Sequence, residues 1–135
     1  MFNAEHVIFC RDVQEGQTGF TYSGVLDTVF STKYPSQVMP FLVFAKLRLK
    51  KEVTAQNELK LRIEIEHDNK PVWGVDFNLP QNPVPKNGVI YAGVEIKDLI
   101  FPQAGTYYVK LLHEGRLLSN LPLEGRPSTE MREVV

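Results

Sequence analysis

The sequence predicts an all-β domain, a sandwich of seven to eight antiparallel strands, on three observations. Residues 58–68 alternate strictly: Leu59, Leu61, Ile63 and Ile65 against Lys60, Arg62, Glu64 and Glu66. That is a strand with one face in the core and one in water, because a period of two would scatter these aliphatic residues around a helix. Strand-like runs recur at spacings of about a dozen residues between clusters of Gly, Pro, Asn and Asp. Finally, residues 101–118 read as a loop with Pro102 and Gly105, an alternating strand, a Glu114-Gly115 turn and a returning strand.

The elements follow in order. Residues 4–13, rich in Val, Ile and Phe, form the first strand and end in a polar loop over residues 14–19 that contains Gly16 and Gly19. Residues 20–31 form the second, with Gly24 marking a bulge or bend. Residues 32–40 carry Pro35 and Pro40 and read as a loop. In the strand over residues 41–50, Phe41, Val43, Ala45, Leu47 and Leu49 share one face and Lys46, Arg48 and Lys50 the other. Leu42 and Phe44 lie on that second face, so its beginning is covered on both sides. Residues 51–57 are a polar linker.

After the alternating strand, Asp68-Asn69-Lys70 turns the chain into residues 72–78, where Trp73, Val75 and Phe77 share a face. Residues 79–88 hold Pro80, Pro83 and Pro85 and cannot join a sheet interior. Residues 89–96 resume strand character, and residues 97–100 are either a short helical turn or that strand's end. The closing hairpin puts Tyr107, Val109 and Leu111 inward, and its return strand, residues 116–123, is broken by Pro122. The domain is therefore expected over residues 1–124, with residues 125–135 a flexible tail.

Composition narrows the function classes. With 15 basic and 16 acidic residues and a net charge of −1, the chain has no overall field to steer nucleic acid or an anionic membrane. The lone Cys10 allows no intramolecular disulfide, which fits a reducing compartment. Glu5, His6 and Arg11 interrupt the N-terminal apolar residues, and no run has the length of a membrane span. The expectation is a cytoplasmic protein that engages neither membrane nor nucleic acid.

Gly105-Thr106-Tyr107-Tyr108-Val109 resembles the Gly-x-Tyr-x-Cys segment that leads into the penultimate strand of immunoglobulin-like domains. That resemblance implies an immunoglobulin-like sandwich without its disulfide, because Val109 stands where the second cysteine would be. It also implies that the Tyr107 ring lies in the core with its hydroxyl bonded back to the preceding loop. Across nearly the whole chain, the order of features is similar to a family of small bacterial proteins of unknown function. The shared features are a first strand ending near Cys10 and Asp12, a turn as in Glu15-Gly16-Gln17, and a strand resembling residues 22–27. They continue with a proline before a long apolar strand, as at Pro40, and the closing Phe101-Pro102 to Gly105-Thr106-Tyr107 hairpin. This resemblance carries over no catalytic residue and no cofactor.

Candidate chemistry is sparse. His6 and Cys10, four apart on one strand, are separated by about 13 Å, beyond a nucleophile–base hydrogen bond. His67, at the end of its alternating series, reads as a hydrogen-bonded rim residue, and His113 as solvated beside a turn. Asp12, Glu15 and Asp27 lack the alternating oxygen ligands of a calcium loop, and no zinc spacing occurs. Lys46, Arg48, Lys50 and Lys51 would form a positive stripe with Lys60 and Arg62 if their strands paired. It would have no exposed aromatics for nucleic-acid bases to stack on.

The reading is a non-catalytic binding or assembly module with an unidentified protein partner or a second copy of itself. Tyr108, out of phase with the core, and Leu112 on the same face are the interface candidates, with Pro83 and Pro85 in a stiff recognition loop. Two alternatives make different demands. A carbohydrate-binding module needs exposed, coplanar rings from Tyr22, Tyr34, Trp73, Tyr91 and Tyr108. A small hydrolase needs a pocket in which a histidine approaches an acid or Cys10.

Overall fold

A computed structural model describes residues 2–49, 58–80 and 88–131. Its strands are β1 (Phe2–Cys10), β2 (Asp12–Gly16), β3 (Gly19–Ser23), β4 (Thr28–Ser31), β5 (Ser36–Gln37) and β6 (Phe41–Leu49). They continue with β7 (Glu58–His67), β8 (Lys70–Pro80), β9 (Val89–Ile96), β10 (Ile100–Phe101), β11 (Gly105–His113) and β12 (Arg116–Pro127), followed by a 3-10 turn, Ser128–Glu130. The all-β class is as expected, but the count of seven to eight antiparallel strands is corrected. There are twelve strands among the described residues, in sheets of order β1-β6-β9, β4-β12-β11-β7-β8, β2-β3 and β10-β5. The pair β4–β12 is parallel, and the five-stranded sheet curls into a half-barrel.

The count differs for local reasons. The first expected strand breaks at Arg11, whose backbone N–H donates to Ser23 O at 3.0 Å. Its guanidinium Nη1 donates to Met39 O at 2.9 Å and Pro40 O at 2.7 Å, pinning the corner. The supposed loop over residues 14–19 is a hairpin with a two-residue turn, in which β2 pairs with β3 from Asp12↔Ser23 to Gly16↔Gly19. Gly24 is the expected bend: its φ of +64° is open to glycine, and a Cβ there would lie 2.6 Å from Arg11 Cγ. The two-residue strands β5 and β10 are too short for any period to reveal.

The longer strands follow the periodicity. On β6, Phe41, Val43, Ala45 and Leu47 are buried; on β7, so are Leu59, Leu61, Ile63 and Ile65. With Val109, Leu111 and Leu123 they build one core from the inner faces of the two larger sheets. Phe44, on the opposite face of β6, is buried too, because Phe20 and Tyr22 of β3 pack on it with ring centroids 5.0 and 5.6 Å away. The β2–β3 hairpin thus lies over the outer face of the three-stranded sheet.

Two tight turns set the registers around the five-stranded sheet. Asp68 and Asn69 (φ 50° and 63°) join β7 to β8, and Glu114 and Gly115 (φ 49° and 80°) join β11 to β12. Positive φ at both central residues gives the turn whose twist matches the flanking strands. Pro122 does not break β12. Strand β4 pairs with Glu124–Pro127, so among the described residues no strand is paired to Pro122 on that edge, where a missing N–H removes no ladder bond. β12 continues through Pro127, past the boundary expected at residue 124.

Two outcomes are expected. Gly105 has φ +149°, and a Cβ there would stand 2.7 Å from His67 Cε1. Gly105→Ala should therefore lower stability by about 1–3 kcal/mol in urea unfolding. Cys10 is fully buried, and burial, with the nearby Asp12 carboxylate, pushes its thiol pKa up. Its labelling by a thiol reagent should be slow in the native protein and become fast at the denaturant concentration where the fold is lost.

Candidate functional site

The site is built on a stack of three rings. Tyr107 is fully buried, parallel to Phe101 at 3.7 Å between centroids and 5° between planes. His67 stacks on Tyr107 at 4.4 Å and 23°. The Tyr107 hydroxyl donates to Gln103 O at 2.6 Å and accepts from Gln103 N–H at 3.3 Å. This is the bond back to the preceding loop that the Gly-x-Tyr resemblance implies. Burial pushes this phenol's pKa up, so the hydroxyl keeps its proton and remains a donor.

His67 completes the rim. Its Nδ1 lies 2.9 Å from Thr106 O, and a carbonyl can only accept, so Nδ1 carries the proton. Nε2 then accepts from Gln103 Nε2 at 2.7 Å. Asp68 Oδ2 stands 3.3 Å from the same nitrogen, with the carboxylate largely in water. The rim-histidine expectation holds, and the ring nitrogens are committed to the start of β11 and to the loop before it.

Beside this rim the outer face of the five-stranded sheet forms an open cleft of about 660 Å³. The β7–β8 turn supplies Asp68 and Asn69, the loop before β11 supplies Gln103, and the sheet floor supplies Tyr108, Lys110 and Asn120. The registers place these side chains on one face in two adjacent rows, Glu66-Tyr108-Pro122 and Glu64-Lys110-Asn120. Lys110 Nζ and Glu66 Oε2 pair at 2.7 Å, both mostly covered. Tyr108 is 45% exposed and is the aromatic of the cleft.

Leu112 projects on the same outer face but lines a second depression of about 480 Å³ with Arg62, Glu64 and Asp76. Those charges pair among themselves, Arg62 Nε with Glu64 at 2.8 Å and Nη1 with Asp76 at 3.1 Å. Pro83 and Pro85 lie outside the described residues, as do Lys50 and Lys51. The positive stripe does not form, because β6 and β7 are in different sheets. Lys46 and Arg48 instead pair with Glu5, and the Arg48 bond, first, holds that carboxyl's pKa down.

The other candidates scatter. Tyr91, also 45% exposed, lies on the outer face of the three-stranded sheet against Phe20. Trp73 Nε1 donates to Lys97 O at 2.9 Å, and the Tyr34 hydroxyl to Arg126 O at 2.9 Å. Tyr22 is half-buried on Phe44. These rings therefore form no common coplanar platform. Among the described residues, no three His, Cys, Asp or Glu side chains group in a way that could hold a metal ion. No described helix is long and apolar enough to cross a membrane.

Phase and motif placed Tyr107 in the core, His67 at the rim and Tyr108 outward, as the structure has them. They missed Gln103, Asn69 and Asn120 as neighbours, since these sit in a loop, a turn and a partner strand. The Asp68-Asn69 turn was legible as a turn, but only the fold brings it beside the Gly-x-Tyr segment. Replacing His67 by Ala removes a ring contact and two bonds to the loop over residues 102–106. It should cost about 1–3 kcal/mol in urea unfolding and speed amide exchange in that loop.

No curated protein matches the chain. Residues 5–124 match DUF6941, a family of unknown function, and the chain belongs to that family.

Proposed function

We propose that this protein is a non-catalytic binding or assembly module that recognises its partner on the outer face of the five-stranded sheet. The carrying observation is the cleft beside Tyr108, an exposed ring flanked by polar side chains on strands whose inner faces are fixed in the core. Rigid strands hold such groups with little entropy left to lose on binding. The tyrosine corner supports reading the closing strands as immunoglobulin-like.

The hydrolase alternative finds its histidine here, since His67 meets Asp68 beside a cleft. The hydrogen bonding favours a structural role. Both imidazole nitrogens are already hydrogen-bonded, and Thr106 Oγ1, the aliphatic hydroxyl of the lining, donates to Glu124 Oε1 at 2.8 Å. An imidazole with its one lone pair already accepting a hydrogen bond has no free site to take a substrate proton without rearrangement.

Self-association through this face is the second form of the reading. Tyr108 and Leu117 are exposed and Leu112 half-covered, but charged pairs interrupt the apolar surface. A dimer formed here would be weak and concentration-dependent.

Wild-type and Tyr108→Thr proteins, immobilised and exposed to native lysate, test the recognition reading by mass spectrometry of retained macromolecules and small molecules. A ligand held by the wild type and lost by the variant is expected; identical retention overturns recognition at Tyr108. Light scattering over a concentration series tests self-association. A molar mass that stays monomeric at the highest concentration removes it.

A further inference from the structure

We infer that the cleft beside Tyr108 takes a neutral, hydroxyl-rich ligand, a saccharide of one or two rings, with Tyr108 as the surface for the sugar's apolar face. The inference rests on the recognition reading above and names the ligand class of that site. It follows from what the lining offers and what it lacks.

The lining lacks a charge for an anion. Its one ammonium, Lys110, is 2.7 Å from Glu66, leaving the Asp68 carboxylate as the side chain charge directed to water. A phosphate or carboxylate ligand would meet net negative charge without a free cation to pair with. The lining also lacks an enclosed apolar wall. Apart from Tyr108 and Ala104, its side chains are polar or absent, so an aliphatic ligand would bury little surface.

What remains is one exposed ring surrounded by amide and carboxylate groups. Asn69, Gln103 and Asn120 carry amides, and Asp68 adds two acceptor oxygens. An amide can accept from one hydroxyl and donate to its neighbour, and a carboxylate can accept from two at once. A sugar ring has polar edges and a C–H face, and such a face can rest on an aromatic plane. The volume of about 660 Å³ lies within the range of small-molecule sites.

A single ring also sets the kind of saccharide. Tyr91, the other well-exposed tyrosine, is on the opposite sheet, so no row of coplanar rings tracks a long chain. The site suits a chain end or a short soluble sugar rather than the flat surface of an insoluble polysaccharide.

The test is a ¹⁵N NMR titration of the full chain with methyl glucoside, maltose, cellobiose, lactose and chitobiose, each to about 10 mM, where even a 1 mM Kd is near saturation. At least one should shift the amides of Asp68, Asn69, Gln103 and Tyr108. Tyr108→Thr, which keeps a strand-forming residue on an exposed position, should weaken that sugar at least about tenfold, and so should Asn120→Ala. An unchanged spectrum elsewhere shows that the variants are folded. No shift at these amides with any sugar overturns the saccharide assignment, as does an affinity unaltered by Tyr108→Thr. If the lysate experiment then yields a protein or peptide dependent on Tyr108, recognition at the cleft stands and only its ligand class is wrong. If it yields nothing, both readings fall.

Discussion

The buried Tyr107 ring is the constraint on which the rim of the five-stranded sheet depends. It is clamped between Phe101 and His67, and its hydroxyl ties down the loop that brings the chain from β10 into β11. Burying an aromatic of this size contributes about 2–3 kcal/mol beyond leaving it in water. That gain holds only if the polar end is satisfied, which the backbone of Gln103 does from both sides. The loop conformation is therefore a consequence of the core, and the cleft inherits its shape from that loop.

Gly105 links the two. Its backbone passes so close to His67 that no side chain fits between them, and its φ is one that glycine adopts without strain. Because Gly105 starts β11, the same approach fixes where Tyr107 turns inward and Tyr108 outward. Successive residues on a strand point to opposite faces, so one pair of adjacent tyrosines serves the core and the surface. Beside the exposed ring the Lys110–Glu66 ion pair covers both of its charges.

Much of this was legible in the chain. The strands β6, β7, β9 and β11 are regular because each has one face in the core, and a period of two records that directly. The bond of the Tyr107 hydroxyl back to the preceding loop was legible from five residues, and the rim role of His67 from its place at the end of an alternating series. The β2–β3 hairpin was not legible, since its cover over Phe44 leaves only scattered aromatics in polar sequence. Nor was the parallel β4–β12 pair, which joins segments nearly a hundred residues apart. The basic stripe failed for the same reason: sequence neighbours in strand order, β6 and β7, belong to different sheets.

The sequence by itself determined which residues alternate, where most turns fall, that no disulfide can form within these residues and that Tyr107 and Tyr108 face opposite ways. These are properties of one strand or one turn, set by short-range sterics and by the contrast between apolar and polar side chains. Only the tertiary structure decided that Asp68, Asn69, Gln103 and Asn120 gather around Tyr108 while Leu112 and Tyr91 lie elsewhere. Polar side chains in turns and on sheet surfaces leave no period to read. Their grouping follows from strand order and register, which are settled by how two sheets share one core.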